Sequence, residues 1–260
     1  YFPKFFHPDP TVKRKSGFLI PSFKNSNTSS YLNVPYFLAI AQNKDATFSP
    51  RFYNEDKVLL QTEYRQKNLN SSHISDLSLF TKNNTNTENH FFYEFEKNIE
   101  LSNFEKSDIK FQIQQTSSDT YLKANKLKSK LIKDTETLQN SFGLNLYSND
   151  LSIDTEVAIY EELDRSDNDK FEYIFPKLNL VKKIDNKTRL NGDFFLSSEN
   201  LMRNFNTNVY EKSNINDFSF SSNPNITKEG FYNNYNFLIK NSNTDTQNSS
   251  NFKEDNNYYL

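Results

Sequence analysis

The chain has 260 residues, 31 Lys plus Arg against 33 Asp plus Glu, a formal net charge of -2, no Cys and a mean hydropathy of -0.84. So even a balance leaves no electrostatic footprint for nucleic acid or an anionic membrane surface. Without cysteine the chain has neither a disulfide framework nor a thiolate metal site. Hydrophobic content of 35% is low for a globular domain, yet 25 Phe and 15 Tyr argue against disorder, which is poor in aromatics. A large β-barrel reconciles the two, because only every second residue of each strand must be apolar.

The first residue, Tyr1, is preceded by neither an initiator Met nor a signal segment, so the chain is expected to be a mature or truncated product. Residues 1–15 carry Pro3, Pro8 and Pro10 and the basic cluster Lys13, Arg14 and Lys15, and read as a connection leading into a sheet. Residues 16–260 show no fixed repeat and no Pro- or Gly-rich linker, and read as one continuous antiparallel sheet. The longest apolar run, Tyr36 to Ala41, falls far short of the roughly 20 residues a membrane-spanning helix needs.

Period-2 alternation is the informative signal, in segments close to the length of a tilted membrane strand. From Val58 to Arg65, Val58, Leu60, Thr62 and Tyr64 share one face, and Leu59, Gln61, Glu63 and Arg65 the other. From Phe91 to Leu101, Phe91, Tyr93, Phe95, Ile99 and Leu101 oppose Glu94, Glu96, Asn98 and Glu100. Ile109, Phe111 and Ile113 alternate with Lys110, Gln112 and Gln114. Leu122 to Lys133 is ambiguous, because Leu127 and Leu131 are also spaced for a helix face; the flanking period-2 segments favour a strand. Leu151, Ile153, Val157 and Ile159 alternate with Ser152, Asp154 and Glu156. Asn54 to Asp56 and Ser148 to Asp150 read as tight turns, Lys82 to Asn89 and Asn241 to Asn257 as long loops. Tight turns at one end and long loops at the other are the habit of a transmembrane barrel. The expected fold is therefore all-β, an antiparallel transmembrane β-barrel segment of about ten to thirteen strands, open and curved in this stretch.

Chemistry-bearing constellations are sparse. His7, His73 and His90 lack metal-motif spacing and read as exposed loop histidines. Asp164, Asp167 and Asp169 lack the glycine and terminal Glu of a calcium loop and read as a polar turn. Glu161 and Glu162 are strand neighbours and point to opposite faces, unlike a paired acid and base. No nucleophile elbow, P-loop or dinucleotide fingerprint occurs, so the chain is expected to be no enzyme and to need no cofactor or metal. Asn27-Thr28-Ser29 fits a glycosylation pattern that composition alone explains. The interleaved Lys and Tyr residues from Tyr121 onward lack a nucleic-acid-binding module; lysines on a lumenal face would instead meet phosphorylated sugar headgroups.

The segment Pro8-Asp9-Pro10-Thr11-Val12-Lys13-Arg14-Lys15-Ser16-Gly17-Phe18-Leu19-Ile20-Pro21 resembles the LptD/OstA signature at the junction of periplasmic domain and barrel. The resemblance continues in order through Val34-Pro35-Tyr36-Phe37, Ile40 to Thr47 with Asp45, and Glu63-Tyr64-Arg65, then thins to fragments such as Ser118 to Leu122 and Tyr173 to Pro176. It implies an internal piece of an outer-membrane barrel that inserts lipopolysaccharide into the outer leaflet. The family further implies an LptE-like plug lipoprotein, an LptA-like periplasmic bridge reached through a jelly roll, and outer-membrane lipid as surroundings. Most of the jelly roll and the barrel-closing strand are missing here, so the expected product is an open sheet with aggregation-prone edges.

Pro21 and Pro35 are expected in the first and second strands, where proline removes a ladder donor. The resemblance implies a lateral gate there, its pairing weakened by both prolines. Ser16 and Gly17 read as structural, with Gly17 serving a tight bend. An outer-membrane channel or receptor and a soluble secreted β-sandwich remain as alternatives.

Overall fold

A computed structural model describes residues 14–25, 30–54, 57–82, 86–166, 169–205, 208–249 and 258–259. The strands in chain order are β1 (Gly17–Phe18), β2 (Ser22–Lys24), β3 (Tyr31–Asn33), β4 (Tyr36–Ala41), β5 (Lys44–Tyr53), β6 (Lys57–Lys67), β7 (Ser71–Lys82), β8 (Asn86–Asn98) and β9 (Lys106–Thr116). After a short helix, α1 (Tyr121–Asn125), come β10 (Thr137–Tyr147), β11 (Leu151–Glu162), β12 (Phe171–Ile184), β13 (Gly192–Phe205) and β14 (Tyr210–Ser222). The stubs β15 (Asn225–Ile226) and β16 (Tyr232–Asn233) form a separate ribbon, followed by β17 (Asn236–Gln247) and β18 (Tyr258–Tyr259). All but that ribbon lie in one sheet of consecutive antiparallel neighbours, the all-β class expected from the sequence. Counting β1 with β2 and β3 with β4 as interrupted single strands, thirteen long strands run among the described residues, the top of the expected range.

By contacts the chain divides into two units, residues 1–93 with 115–132, and residues 94–114 with 133–260. The first unit shows most plainly why these residues choose strands. Its ladder is set so that Phe18, Tyr36, Phe48, Thr62 and Leu77 stand in one cross-strand row. Phe23, Leu32, Phe52 and Val58 stand in another, all at least 40% exposed. The opposite face carries Asp45, Arg51, Gln61, Asp76, Ser78 and His90, every one of them buried. The covered face is thus mostly polar, with Leu59 and Phe92 among its polar groups, while the exposed rows are apolar, the polarity of a membrane barrel wall. Among the described residues no helix is long and apolar enough to cross a membrane, which says nothing of strands.

Residues 117–132 fold back over the polar face of the first unit, and Tyr121, Leu122, Leu127 and Leu131 are all 5% exposed or less. The strand expected over Leu122 to Lys133 is therefore wrong. Residues 121–125 are α1, closed by Lys126 in a left-handed conformation (φ 47°), and the remainder is irregular. The leucine spacing that admitted a helix was the better guide, because this stretch packs on a sheet face instead of joining its ladder. Two loop assignments also change: Asn86 to Asn89 belong to β8, and Asn241 to Gln247 belong to β17. In the latter, backbone pairing with β14 along Tyr210–Ser221 satisfies the chain despite its polarity. β8 stops at Asn98, so Ile99 and Leu101 lie beyond the strand predicted through them. The turn at Ser148 to Asp150 stands as expected, Ser148 donating its backbone N–H to Leu151 O at 2.7 Å. His7, Asp167, Pro3, Pro8, Pro10, the Asn27-Thr28-Ser29 tripeptide and most of the 1–15 connection lie outside the described residues.

Candidate functional site

Two features of the first unit carry function-bearing geometry: a proline-broken edge and a buried polar cluster on the covered face. The edge begins at β1 and β2, which pair on one side only among the described residues. Pro21 falls in the break between β1 and β2, and Pro35 in the break between β3 and β4, so both interrupt strands instead of sitting within them. The physical reason is visible in the ladder. Leu19 donates its N–H to Pro35 O at 2.8 Å, and the return bond of that antiparallel pair has no donor, because proline has no N–H. The same happens one strand further in, where Val34 N–H donates to Pro50 O at 3.1 Å and Pro50 has nothing to give back. Pro50 was not singled out from the sequence, although it lies at the level of Val34 by register and makes the weakening extend over two consecutive ladders.

The motif residues are brought together in part. Asp45 is buried and accepts from Arg14 and, at 2.8 Å, from Arg65 Nε; Arg65 also lies 3.5 Å from Glu63 Oε1. Thr47 pairs with Phe37 on one side and Glu63 on the other. Tyr64 faces the apolar side, its hydroxyl donating to Gln66 Oε1 at 2.6 Å. Ser16 Oγ accepts from the Ala39 N–H at 2.9 Å, which ties the start of the edge strand to β4. Phe18 meets Tyr36 edge to face at 5.1 Å, while Ile20 is 90% exposed and Leu19 is exposed too. The bend expected at Gly17 does not occur: the residue lies in β1 opposite Phe37, without positive φ and with open space where a Cβ would stand.

The cluster under α1 was missed. His90 Nδ1 is 2.5 Å from Ser78 Oγ, which is 2.6 Å from the Tyr121 hydroxyl, and His90 Nε2 lies 3.4 Å from Asp76 Oδ2 without hydrogen-bond geometry. The Gln61 amide donates to both Asp76 oxygens at 3.0 and 3.1 Å and to Lys128 O at 3.2 Å. The order Asp, His, Ser is that of a hydrolase triad, but all three side chains are fully buried and Tyr121 occupies the position in front of the serine. What the arrangement does is fasten residues 117–132 to the wall. His90 and His73 are strand residues, not the loop histidines expected; His73 lies 2.9 Å from the Tyr93 hydroxyl. Alternation could have placed His90 on the covered face with Phe92, yet nothing in the sequence ties Tyr121 to Ser78 across 43 residues.

Burial pushes the Tyr121 phenol up to about 12 from its ordinary 10.0. A phenol held neutral in the folded state stabilises fully below pH 10, and that contribution fades as pH rises from about 10 towards about 12. Tyr121→Phe should therefore remove the tyrosinate absorbance that appears only as pH approaches about 12, and a Tyr121-exposing variant such as Leu122→Ala should move it towards the ordinary value; an unchanged amplitude there in the Tyr121→Phe protein would contradict the assignment.

In the second unit, polar side chains including Glu94, Lys110, Gln139, Asn145, Glu156 and Lys177 line a concavity of about 410 Å³. On the opposite side Phe171, Tyr173 and Phe175 stack in a row at 6.4 Å spacings. Within each unit, then, a wet wall backs a greasy one.

No protein-family model matches the chain. It is 28% identical over 184 residues, 69% of its length, to LPS-assembly protein LptD of Pseudoalteromonas atlantica. The chain is homologous to a segment of LptD. The aligned part makes up 23% of that relative, so the chain spans about a quarter of it. Shorter matches have higher identity: 40% over 68 residues to LptD of Shewanella sp. strain ANA-3, covering 24% of this chain and 9% of that protein, and 44% over 54 residues to LptD of Sodalis glossinidius, covering 20% and 7%.

Proposed function

We propose that residues 16–260 form the first part of an outer-membrane β-barrel that inserts lipopolysaccharide into the outer leaflet through a lateral seam beginning at β1 and β2. In this reading residues 1–15 connect to a periplasmic jelly roll, which receives substrate from an LptA-like bridge protein. An LptE-like lipoprotein plugs the completed barrel. The chemistry is transport and assembly, with no bond made or broken by this chain.

The observation that carries the proposal is the proline-broken edge beside an outward apolar face. A soluble sandwich would have to bury Phe52, Val58 and Leu60, which are exposed here. An ordinary channel has no use for two consecutive ladders short of donors at one edge. Each missing ladder bond withholds about 0.5–1.5 kcal/mol, so an edge short of one donor in each of two successive ladders parts more readily than the rest of the sheet. An acyl-chain-bearing substrate can then leave into lipid while its saccharide stays in the wet interior.

Pro21→Ala and Pro35→Ala in the complete protein should slow arrival of newly made lipopolysaccharide at the cell surface. The expected factor is several-fold, on the order of one hydrogen bond per replacement. Pulse-labelling with surface capture measures it. Unchanged arrival rates in both variants, with normal folding, would remove the gate.

A further inference from the structure

The loop ends of the first unit gather Lys24, Arg51, Lys126 and Lys128, and among the described residues no carboxylate pairs with the three lysines. Lys24 closes β2 and pairs in register with Tyr31, and the Arg51 guanidinium lies 5.4 Å over the Tyr31 ring. Arg51 in turn donates to the Asn125 carbonyl at 2.7 Å, which places the following residue, Lys126, at the same spot. Of the charges that act on Lys24, that of Lys126 is the largest, followed by those of Arg51 and Lys128. Among the described residues neither Lys24, Lys126 nor Lys128 makes an ion pair. Lys130, two residues on, faces Glu63 instead.

Such crowding is costly unless an anion neutralises it, since like charges a few ångströms apart repel. The backbone is nonetheless built to hold it. Leu127, 5% exposed, is anchored between the two lysines, and Lys126 is fixed by the left-handed turn that ends α1. Both lysine side chains are consequently exposed on the same stretch, beside Lys24 and at the end where β2 passes to β3. Arg51, 8% exposed and already bonded to Asn125 O, reinforces the positive potential from beneath.

We propose that Lys24, Lys126 and Lys128 form a binding site for phosphate monoester groups carried on the saccharide headgroup of a glycolipid. A dianionic monoester offers three acceptor oxygens to three ammonium donors, a match a single carboxylate does not provide. This inference rests on the export reading and adds to it a place, at the loop end of the first strands, where the departing headgroup is held.

The test is binding to the complete protein in neutral detergent micelles. Four probes are titrated: a bisphosphorylated acylated glucosamine disaccharide, its dephosphorylated counterpart, phosphatidylglycerol and inorganic phosphate. The wild type should prefer the bisphosphorylated disaccharide, with affinity falling as salt rises. The triple variant Lys24→Gln, Lys126→Gln, Lys128→Gln should lose about tenfold or more for that probe and nothing for the dephosphorylated one. The triple arginine variant should retain binding, and Lys126→Gln alone should show a partial loss should the triple variant fold poorly. Unchanged affinity in a folded glutamine variant overturns the site, and so does phosphatidylglycerol binding that is equally tight and equally sensitive. A wild type that does not bind the disaccharide at all would instead remove the export reading itself.

Discussion

His90→Ala should destabilise the first unit by roughly 1–3 kcal/mol, the cost of leaving buried polar neighbours without the imidazole that meets them. His90 is fully buried between Ser78 Oγ and Asp76, and Asp76 would keep only the Gln61 amide. The loss should appear in guanidinium unfolding of the complete protein in detergent and in faster hydrogen exchange along β7 and β8. Replacing Asp76 and His90 together by leucine should recover much of it, since an apolar pair of similar volume leaves no buried charge behind. A single variant that loses less than about 1 kcal/mol would mean that the cluster is packing alone and fastens nothing.

Leu122→Ala combined with Leu131→Ala should release residues 117–132 from the wall without unfolding the strands beneath. Leu122 is fully buried and Leu131 is 4% exposed, and each truncation costs about 2–5 kcal/mol in a well-packed site. What then remains is Tyr121, Leu127 and the hydrogen bonds with Ser78, Arg51 and Gln61, since α1 is five residues long and such a helix is not stable by itself. Hydrogen exchange should report the release directly. The Ala124 N–H to Thr120 O bond of 2.8 Å and the Leu127 N–H to Leu122 O bond of 3.4 Å would lose protection, while the β6–β7 ladder from Lys57 to Lys67 kept its own. Simultaneous loss of protection in both would show that the segment is part of the core that holds the strands together. The released state should also lose the lysine site, since Lys126 and Lys128 are positioned by Leu127.

The alternation of β6 was legible because each residue between Val58 and Arg65 answers to one face only, and the structure keeps Leu60 exposed and Gln61 buried as that pattern requires. Strand ends were less legible. Asn241 to Gln247 is polar on both faces and resembles a loop, yet the amide of Asn243 donates to Asn241 at 2.6 Å, beside a second such bond from Asn216 to Asn214 at 2.5 Å in the paired strand. Side-chain amide ladders of that kind support a strand without any apolar residue, and composition gives no sign of them. Pro21 and Pro35 could be located, but not their effect. That depends on which carbonyls lose a donor, and hence on the registers that also bring in Pro50. Tyr121, Ser78 and His90 are distant in sequence, and only the fold-back of residues 117–132 unites them. Asp45 and Arg65 were picked out by resemblance alone; their pairing across β5 and β6 explains why a buried carboxylate is tolerated there.

In the proposed route lipopolysaccharide leaves through an edge weakened at Pro21 and Pro35. Photoreactive residues placed at positions 21 and 35, and at Glu63 on the polar wall, in the complete protein in living cells test it most directly. Crosslinks to lipopolysaccharide at all three positions, lost from 21 and 35 when the periplasmic bridge is depleted, are the predicted result. A normally folded protein that crosslinks at none of them, or at Glu63 alone, would contradict it.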